Sequence, residues 1–320
     1  MAYTVFVPQP IAEEGTQFLR AHGYEVKMGS GWTEEIMKAE VQDCDAMLVR
    51  TALVTADVLK AGKQLKVVSR HGTGVDNIDI PTATELGIYV TNGPESNANS
   101  VAEQAIGMMI ACARNYSLCD RSTRAGNFEI RDQIRGVDLE KKTVGIIGLG
   151  RVGKIVARKA KHGLDMNVVG YDPFVQHDQL STEITLVDDV QDLLREADFV
   201  TLHLPSNPET KGIIGEHAFE LMKPTAYIIN TARGDLIDEA ALVQALREHN
   251  IAGAGLDVYA QEPPPKDHPL FSLDNVMLTP HNSTLTKECV VRLAVHAAIG
   301  IDEVLSGKPP TWPVNTPKGR

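Results

Sequence analysis

The chain has 320 residues, 43% of them hydrophobic, with a formal charge of −11, which is enough for two cores of ordinary globular composition. Such an acidic balance excludes a protein that grips nucleic acid or an anionic membrane through bulk charge, and no apolar run approaches the ~20 residues that span a bilayer. The four cysteines, Cys44, Cys112, Cys119 and Cys289, form no C-x-x-C pair, so they read as small apolar residues of a reduced, cytoplasmic protein rather than as a zinc site.

Residues 1–8 run straight into a strand with no basic leader or cleavage site. Strand candidates follow at 3–7, 24–28, 46–50, 66–69 and 88–91, with helices starting near Ile11, Glu34, Thr55 and Asp79. Thr33 and the Asp79-Ile-Pro81 start carry N-cap signals, the second with proline early in the helix. Alternating strands and helices predict a parallel sheet covered on both faces. No G-x-G-x-x-G follows the opening strand, so this unit is not the expected nucleotide binder. Residues 100–124 show one long helical pattern without proline, placing Cys112 and Cys119 two turns apart on it. Six more strands are expected at 143–148, 167–172, 198–204, 226–230, 252–257 and 275–279, then a helix over 286–306 that returns to the first unit. The expected domains are therefore 1–99 with 286–320, and 100–285.

The turn after residue 147 is the most informative stretch. Glycines stand at 148, 150 and 153, and Asp172 follows 19 positions after the last of them. This is the spacing of a dinucleotide fingerprint. Gly148 permits the tight turn, Gly150 lets a pyrophosphate approach the backbone, and Gly153 lets the next helix pack against its strand. That helix offers free N–H groups and a positive dipole end to phosphates. Asp172, ending the second strand, suits ribose hydroxyls and repels the extra phosphate of NADP, so NAD is the expected cofactor.

Three polar residues lie just beyond three successive strands: Arg233, Glu262 and His281. Transfer of a hydride to a ketoacid needs a cation for the carboxylate, preferably a bidentate guanidinium, and an acid for the developing alkoxide. Arg233 suits the first task and His281 the second, with Glu262 stabilising the protonated imidazole.

Several motifs in order carry a resemblance: Val49-Arg-Thr51, Arg70-His-Gly-Thr-Gly-Val-Asp-Asn77, Ser100-Val-Ala-Glu103, the glycine turn, Tyr171-Asp172, His203-Leu-Pro205, Asn230-Thr-Ala-Arg-Gly-Asp235, Asp257-Val-Tyr-Ala-Gln-Glu-Pro263 and Thr279-Pro-His281. Over nearly the whole chain the sequence resembles the D-isomer-specific 2-hydroxyacid dehydrogenase family, and within it is most similar to the 3-phosphoglycerate dehydrogenases. The resemblance implies an α/β fold of two doubly wound parallel-sheet domains, a flavodoxin-like substrate domain and a Rossmann NAD-binding domain. It implies Arg233, Glu262 and His281 as the catalytic set, and cofactor contacts from Arg151, Val152, Asp172, Pro205, Thr210, Thr231 and Asp257. It also implies substrate contacts from Arg50, Gly72, Thr73, Gly74 and Asn97, with Arg50 and Arg70 near a substrate phosphate, which guanidinium groups match geometrically. A homodimer is implied as well, its interface expected in residues 100–145, including the loop 128–136.

One departure is the polar Asn282-Ser-Thr-Leu285 after His281, where the family has an apolar run. It leaves the substrate open among 3-phosphoglycerate, hydroxypyruvate or glyoxylate, and phosphite. Because the chain ends at Arg320, serine feedback through a regulatory C-terminal domain is not expected. An NADH-sensing, corepressor-like binding protein is the alternative of another class. Its discriminator is tight NADH binding without ketoacid turnover.

Overall fold

Short buried apolar runs and side-chain-capped helices alternate along the chain and sort into two α/β units. The computed structural model describes residues 2–176, 180 and 183–318. Unit one comprises Met1–Asn97 and Thr284–Arg320, and unit two Ala98–Ser283.

In unit one, β1 (Thr4–Val7), β2 (Glu25–Met28), β3 (Ala46–Val49), β4 (Val67–Arg70) and β5 (Tyr89–Thr91) form a five-stranded sheet of order β2-β1-β3-β4-β5. All its strand pairs are parallel, a flavodoxin-like order. β3 is buried at every residue, as expected for a strand covered on both faces. The intervening helices are α1 (Glu13–Ala21), α2 (Glu34–Glu40), α3 (Ala56–Ala61) and α4 (Ile80–Glu85). Thr33, Thr55 and Asp79 each accept a backbone N–H at the start of their helix, a cap contributing about 1 kcal/mol.

Unit two opens with α5 (Ala98–Ala113), α6 (Tyr116–Arg124) and α7 (Ile130–Gln133). The single helix expected over 100–124 is thus two, broken where Asn115 adopts φ 54°. Asparagine is among the few residues that enter the left-handed region readily. Cys112 and Cys119 consequently sit on different helices, the first buried and the second half-buried.

The rest of unit two alternates β6 (Thr143–Ile147), α8 (Arg151–Leu164), β7 (Asn167–Tyr171), β8 (Ile184–Leu186), α9 (Val190–Glu196), β9 (Phe199–Leu202), α10 (Glu216–Leu221), β10 (Tyr227–Asn230), α11 (Glu239–Arg247), β11 (Gly253–Leu256) and β12 (Val276–Leu278). The sheet has seven strands, not the expected six, in the order β12-β11-β10-β9-β6-β7-β8. The extra strand, β8, has three residues and no buried one, so no apolar run marks it. Strand order reverses between β6 and β9, and ligands of such sheets bind at the carboxyl ends beside that switch point.

Asp198, just before β9, fastens this sheet. Its carboxylate accepts the Thr143 N–H at 2.9 Å and the Lys223 ammonium at 3.0 Å. Burial works to raise its pKa, but these two donors and the positive charge of Lys223 and Lys142 hold it below the ordinary value. A carboxyl depressed in the folded state contributes stability that is complete above its unfolded pKa and lost as pH falls through the folded one. Asp198→Asn is therefore expected to lower stability by about 1–3 kcal/mol at pH 7. In urea titrations the gap should narrow once the pH drops below the ordinary aspartate value; a gap independent of pH would contradict this.

The chain then returns to unit one through α12 (Lys287–Leu305), capped by Thr286. It packs against α1 and against β3, β4 and β5. The contact with α1 is close, since a Cβ at Gly15 would lie 2.8 Å from the Ala294 Cβ. The tail covers the open edge of β5: Val314 N–H donates to the Val90 carbonyl, and Asn315 accepts the Val90 N–H at 2.7 Å. Pairing of this kind removes a bare sheet edge.

Candidate active site

β6 runs into Gly148, whose φ of 96° is left-handed and suits glycine. A Cβ there would lie 2.8 Å from the His203 carbonyl. Gly150 caps α8 without a side-chain acceptor, and a Cβ on it would meet no atom within 4 Å. The backbone is therefore open to a ligand at the N-terminus of a helix. At Gly153 a Cβ would meet the Gly148 carbonyl oxygen at 2.0 Å, so α8 packs where only glycine fits. Arg151 and Val152 form the first turn of that helix, the former exposed.

Asp172 directly follows β7 and is tied to the same turn. Its two oxygens accept the Leu149 N–H at 2.8 Å and the Phe174 N–H at 3.0 Å, leaving each a further lone pair. After β9, the Thr210 hydroxyl donates to the Pro205 carbonyl at 2.7 Å and fixes that loop. After β10, the Thr231 hydroxyl is buried without a protein partner. An open glycine turn at a helix N-terminus, a fixed carboxylate and an unpaired hydroxyl at neighbouring strand ends fit a dinucleotide.

Arg233, Glu262 and His281 follow β10, β11 and β12. His281 Nδ1 lies 2.6 Å from Glu262 Oε2, and Glu262 Oε1 accepts the Tyr259 N–H at 3.1 Å. Buried Asn230 closes the turn that carries Arg233, donating to the Arg233 carbonyl and accepting the Ala232 N–H. Burial pushes the Glu262 pKa up, but the bond to His281, the charge of that imidazole, the Tyr259 N–H and the charge of Arg233 together bring it below the ordinary value. Guanidinium, carboxylate and imidazole thus share one electrostatic neighbourhood. Glu262 and His281 keep 37% and 45% of their side chains exposed, so the pair can exchange protons with a substrate or with water.

His281 itself is left-handed, with φ 49°, and Asp257 holds the backbone that makes it so. The fully buried Asp257 carboxylate accepts the Thr279 hydroxyl and the N–H groups of Asn282 and Ser283, the last two at 3.0 Å. Asp257, expected as a cofactor contact, also anchors the histidine turn. Asn282 Oδ1 is buried without a protein partner.

The substrate-contact candidates all belong to unit one. Val49 and Arg70 are register partners in β3 and β4, so Arg50 and Arg70 stand at adjacent strand ends. Asn77 joins their loops, accepting from Arg70 Nε at 3.2 Å and donating to the Ala52 carbonyl at 2.7 Å. Arg50 donates to the Pro10 carbonyl at 2.9 Å, and Arg70 to the His71 carbonyl. Gly72 has φ 146° and lies against the Arg70 guanidinium. Thr73 donates to Asn97 at 2.9 Å, while Gly74 is half-buried. Buried His71 has its pKa pushed down to about 4, by burial first and then by the charges of Arg70 and Arg50, so it is neutral at pH 7 with an unpartnered Nε2.

Two loop-fixing residues escaped the sequence reading. Asn77 stood in a quoted motif without a role, and Gln9, whose amide oxygen accepts the N–H groups of Thr51 and Ala52, carried no signal beyond following the first strand. Among the described residues no group of three or more His, Cys, Asp or Glu could hold a metal. Nor is any described helix long and apolar enough to cross a membrane.

A doubly wound sheet with a glycine fingerprint at its switch point and an Arg–Glu–His set at the next strand ends defines a nicotinamide-dinucleotide-binding α/β protein. Residues 106–283 match the family model described as D-isomer specific 2-hydroxyacid dehydrogenase, NAD binding domain, and the chain belongs to that family. Its cofactor is accordingly NAD. The chain is 43% identical over 315 residues to the D-3-phosphoglycerate dehydrogenase of Methanocaldococcus jannaschii, covering 98% of this chain and 59% of that relative's length. Among solved structures, the TT0316 protein from Thermus thermophilus aligns with TM-score 0.90 and 32% identity, over 98% of this chain and all of the other. A glyoxylate reductase from Paecilomyes thermophila aligns with TM-score 0.88 and 29% identity, over 98% of each chain.

Proposed function

We propose that the chain is an NAD-dependent D-2-hydroxyacid dehydrogenase that interconverts 3-phosphoglycerate and its 2-keto product. The observation that carries this reading is the 2.6 Å bond between His281 and Glu262, with the charge of Arg233 felt at the same carboxyl. NAD, held by the glycine turn at Gly148, Gly150 and Gly153 and by Asp172, would supply the hydride acceptor for oxidation at the substrate's C2. His281 takes the proton of the 2-hydroxyl during oxidation and returns it to the carbonyl oxygen during reduction. Glu262 holds Nδ1 and so aims the other ring nitrogen outward. Arg233 binds the substrate carboxylate through parallel N–H···O bonds. The resemblance to phosphoglycerate dehydrogenases adds Arg50 and Arg70, joined by Asn77, as proposed phosphate contacts, and Gly72, Thr73, Gly74 and Asn97 as proposed substrate contacts.

A smaller ketoacid is the second reading. It is favoured by the bonds that Arg50 and Arg70 make to their own loops and by polar Asn282 beside the histidine. One experiment separates them: NADH and NADPH oxidation against phosphohydroxypyruvate, hydroxypyruvate, glyoxylate and pyruvate, with phosphite oxidation as a further arm. The expected result is highest kcat/KM for the phosphorylated ketoacid with NADH. Preference for glyoxylate would favour the second reading, and tight NADH binding without turnover would mark a sensing protein.

The enzyme is also proposed to act in the cytoplasm as a homodimer paired through residues 100–145, where Tyr116 and Phe128 are exposed. Sedimentation equilibrium at the mass of one chain would remove the dimer from the proposal.

A further inference from the structure

Tyr259 is a buried side chain, 8% exposed, that touches all three loops bearing the proposed catalytic groups. Its own N–H holds Glu262 Oε1 at 3.1 Å. Its hydroxyl donates to the carbonyl of Thr279 at 3.0 Å, two residues before His281. Its carbonyl lies under Gly234, the neighbour of Arg233, so closely that a Cβ there would sit 2.0 Å from the Tyr259 carbonyl carbon. The ring is braced from behind: it stands edge-on to His268 at 6.3 Å and 73°. His268 Nε2 lies 2.8 Å from Glu239 Oε1, and the other Glu239 oxygen accepts the Ala260 N–H at 3.3 Å. Since His268 Nδ1 accepts the Leu270 N–H, Nε2 carries the proton and donates to Glu239.

We propose that Tyr259 is a positioning residue that spans the loops after β10, β11 and β12 and sets the orientation of the Glu262 carboxyl against the His281 imidazole. This rests on the dehydrogenase reading above. Asp257, at the β11 end, already anchors the backbone on either side of His281, but nothing in that anchor fixes Glu262 further along the β11 loop. The Tyr259 hydroxyl adds a second tie between the two loops, from the residue whose own N–H holds Glu262. Catalytic geometry is sensitive at that scale, because a displacement of about 1 Å can cost ~10²-fold in rate. The phenol remains a donor throughout the working range. Burial raises its pKa, and the negative charges of Asp257, Glu262 and Glu239 raise it further.

Tyr259→Phe tests this, because it keeps the ring, the contact with His268 and the backbone N–H, and removes only the bond to the Thr279 carbonyl. The expected result is a fall in kcat of about 10-fold with KM for NADH and for ketoacid within about twofold of wild type and little change in Tm. A second readout needs no turnover. The proton in the short Nδ1···Glu262 bond should resonate at low field in the wild type, and move or broaden in Tyr259→Phe. Wild-type kcat together with an unchanged resonance overturns the proposal. So does a loss of kcat that is matched by a large fall in Tm while the resonance stays in place. If the wild type turns over none of the ketoacids, the functional reading fails by itself, and the proton resonance still decides whether Tyr259 sets the pair.

Discussion

His281→Ala should lower kcat by about 10²–10⁴-fold while leaving the Kd for NADH nearly unchanged. The reason is geometric. Among the described residues, the imidazole is the group at the β12 end that combines a fixed ring with exposure: Nδ1 is held by Glu262 at 2.6 Å, yet 45% of the side chain is accessible. The residues that fit a dinucleotide lie on other segments, at the glycine turn and Asp172. Steady-state turnover gives kcat, and quenching of protein fluorescence by NADH gives the Kd. Unchanged turnover would remove His281 from proton transfer, and a matching loss of NADH affinity would make it a binding residue. The support from Glu262 also has a predictable acid limit. Its pKa is held below the ordinary carboxylate value, so the carboxylate is fully formed above that value, and its hold on the imidazole is lost as pH falls through the lowered one.

Gly234→Ala should be the most damaging single-methyl change near the site. A Cβ there would lie 2.0 Å from the Tyr259 carbonyl carbon, 2.1 Å from its oxygen and 2.5 Å from the Ala260 nitrogen. All three are backbone atoms, so no side chain can swing away to make room. Overpacking of this kind costs about 3 kcal/mol, which for a unit of this size is a fall in Tm of about 6–12 °C. Relief of the clash must part the Arg233 turn from the loop carrying Glu262, so kcat/KM should fall even at temperatures where the variant is folded. Calorimetry and kinetics well below the transition read the two effects separately. A wild-type Tm would show that these loops do not pack as closely as described.

Parallel strands were largely legible because burial on both faces writes them as short, nearly continuous apolar runs. The side-chain caps at Thr33 and Asp79 were legible because a cap is a local bond over three residues. β8 was not, since an edge strand of three residues buries none of them. The break at Asn115 was not either, because no proline or glycine marks it and the turn rests on the left-handed backbone of a single asparagine.

The candidate site divides along the same line. Gly148, Gly150, Gly153 and Asp172 announce themselves because the turn needs missing side chains and one carboxylate at set intervals. Arg233, Glu262 and His281 could be nominated from position, each lying just past a strand of the same sheet. Residue order alone thus determined two α/β units, a dinucleotide turn and three candidate groups, since each depends on backbone sterics or burial within a short stretch of chain. Only the folded chain decided that Nδ1 of one loop meets Oε2 of another, that Asp257 anchors the histidine turn, and that Gln9, Asn77 and Tyr259 hold loops in place. Those are bonds between segments brought together by sheet order, and their energy depends on distances that no local pattern encodes.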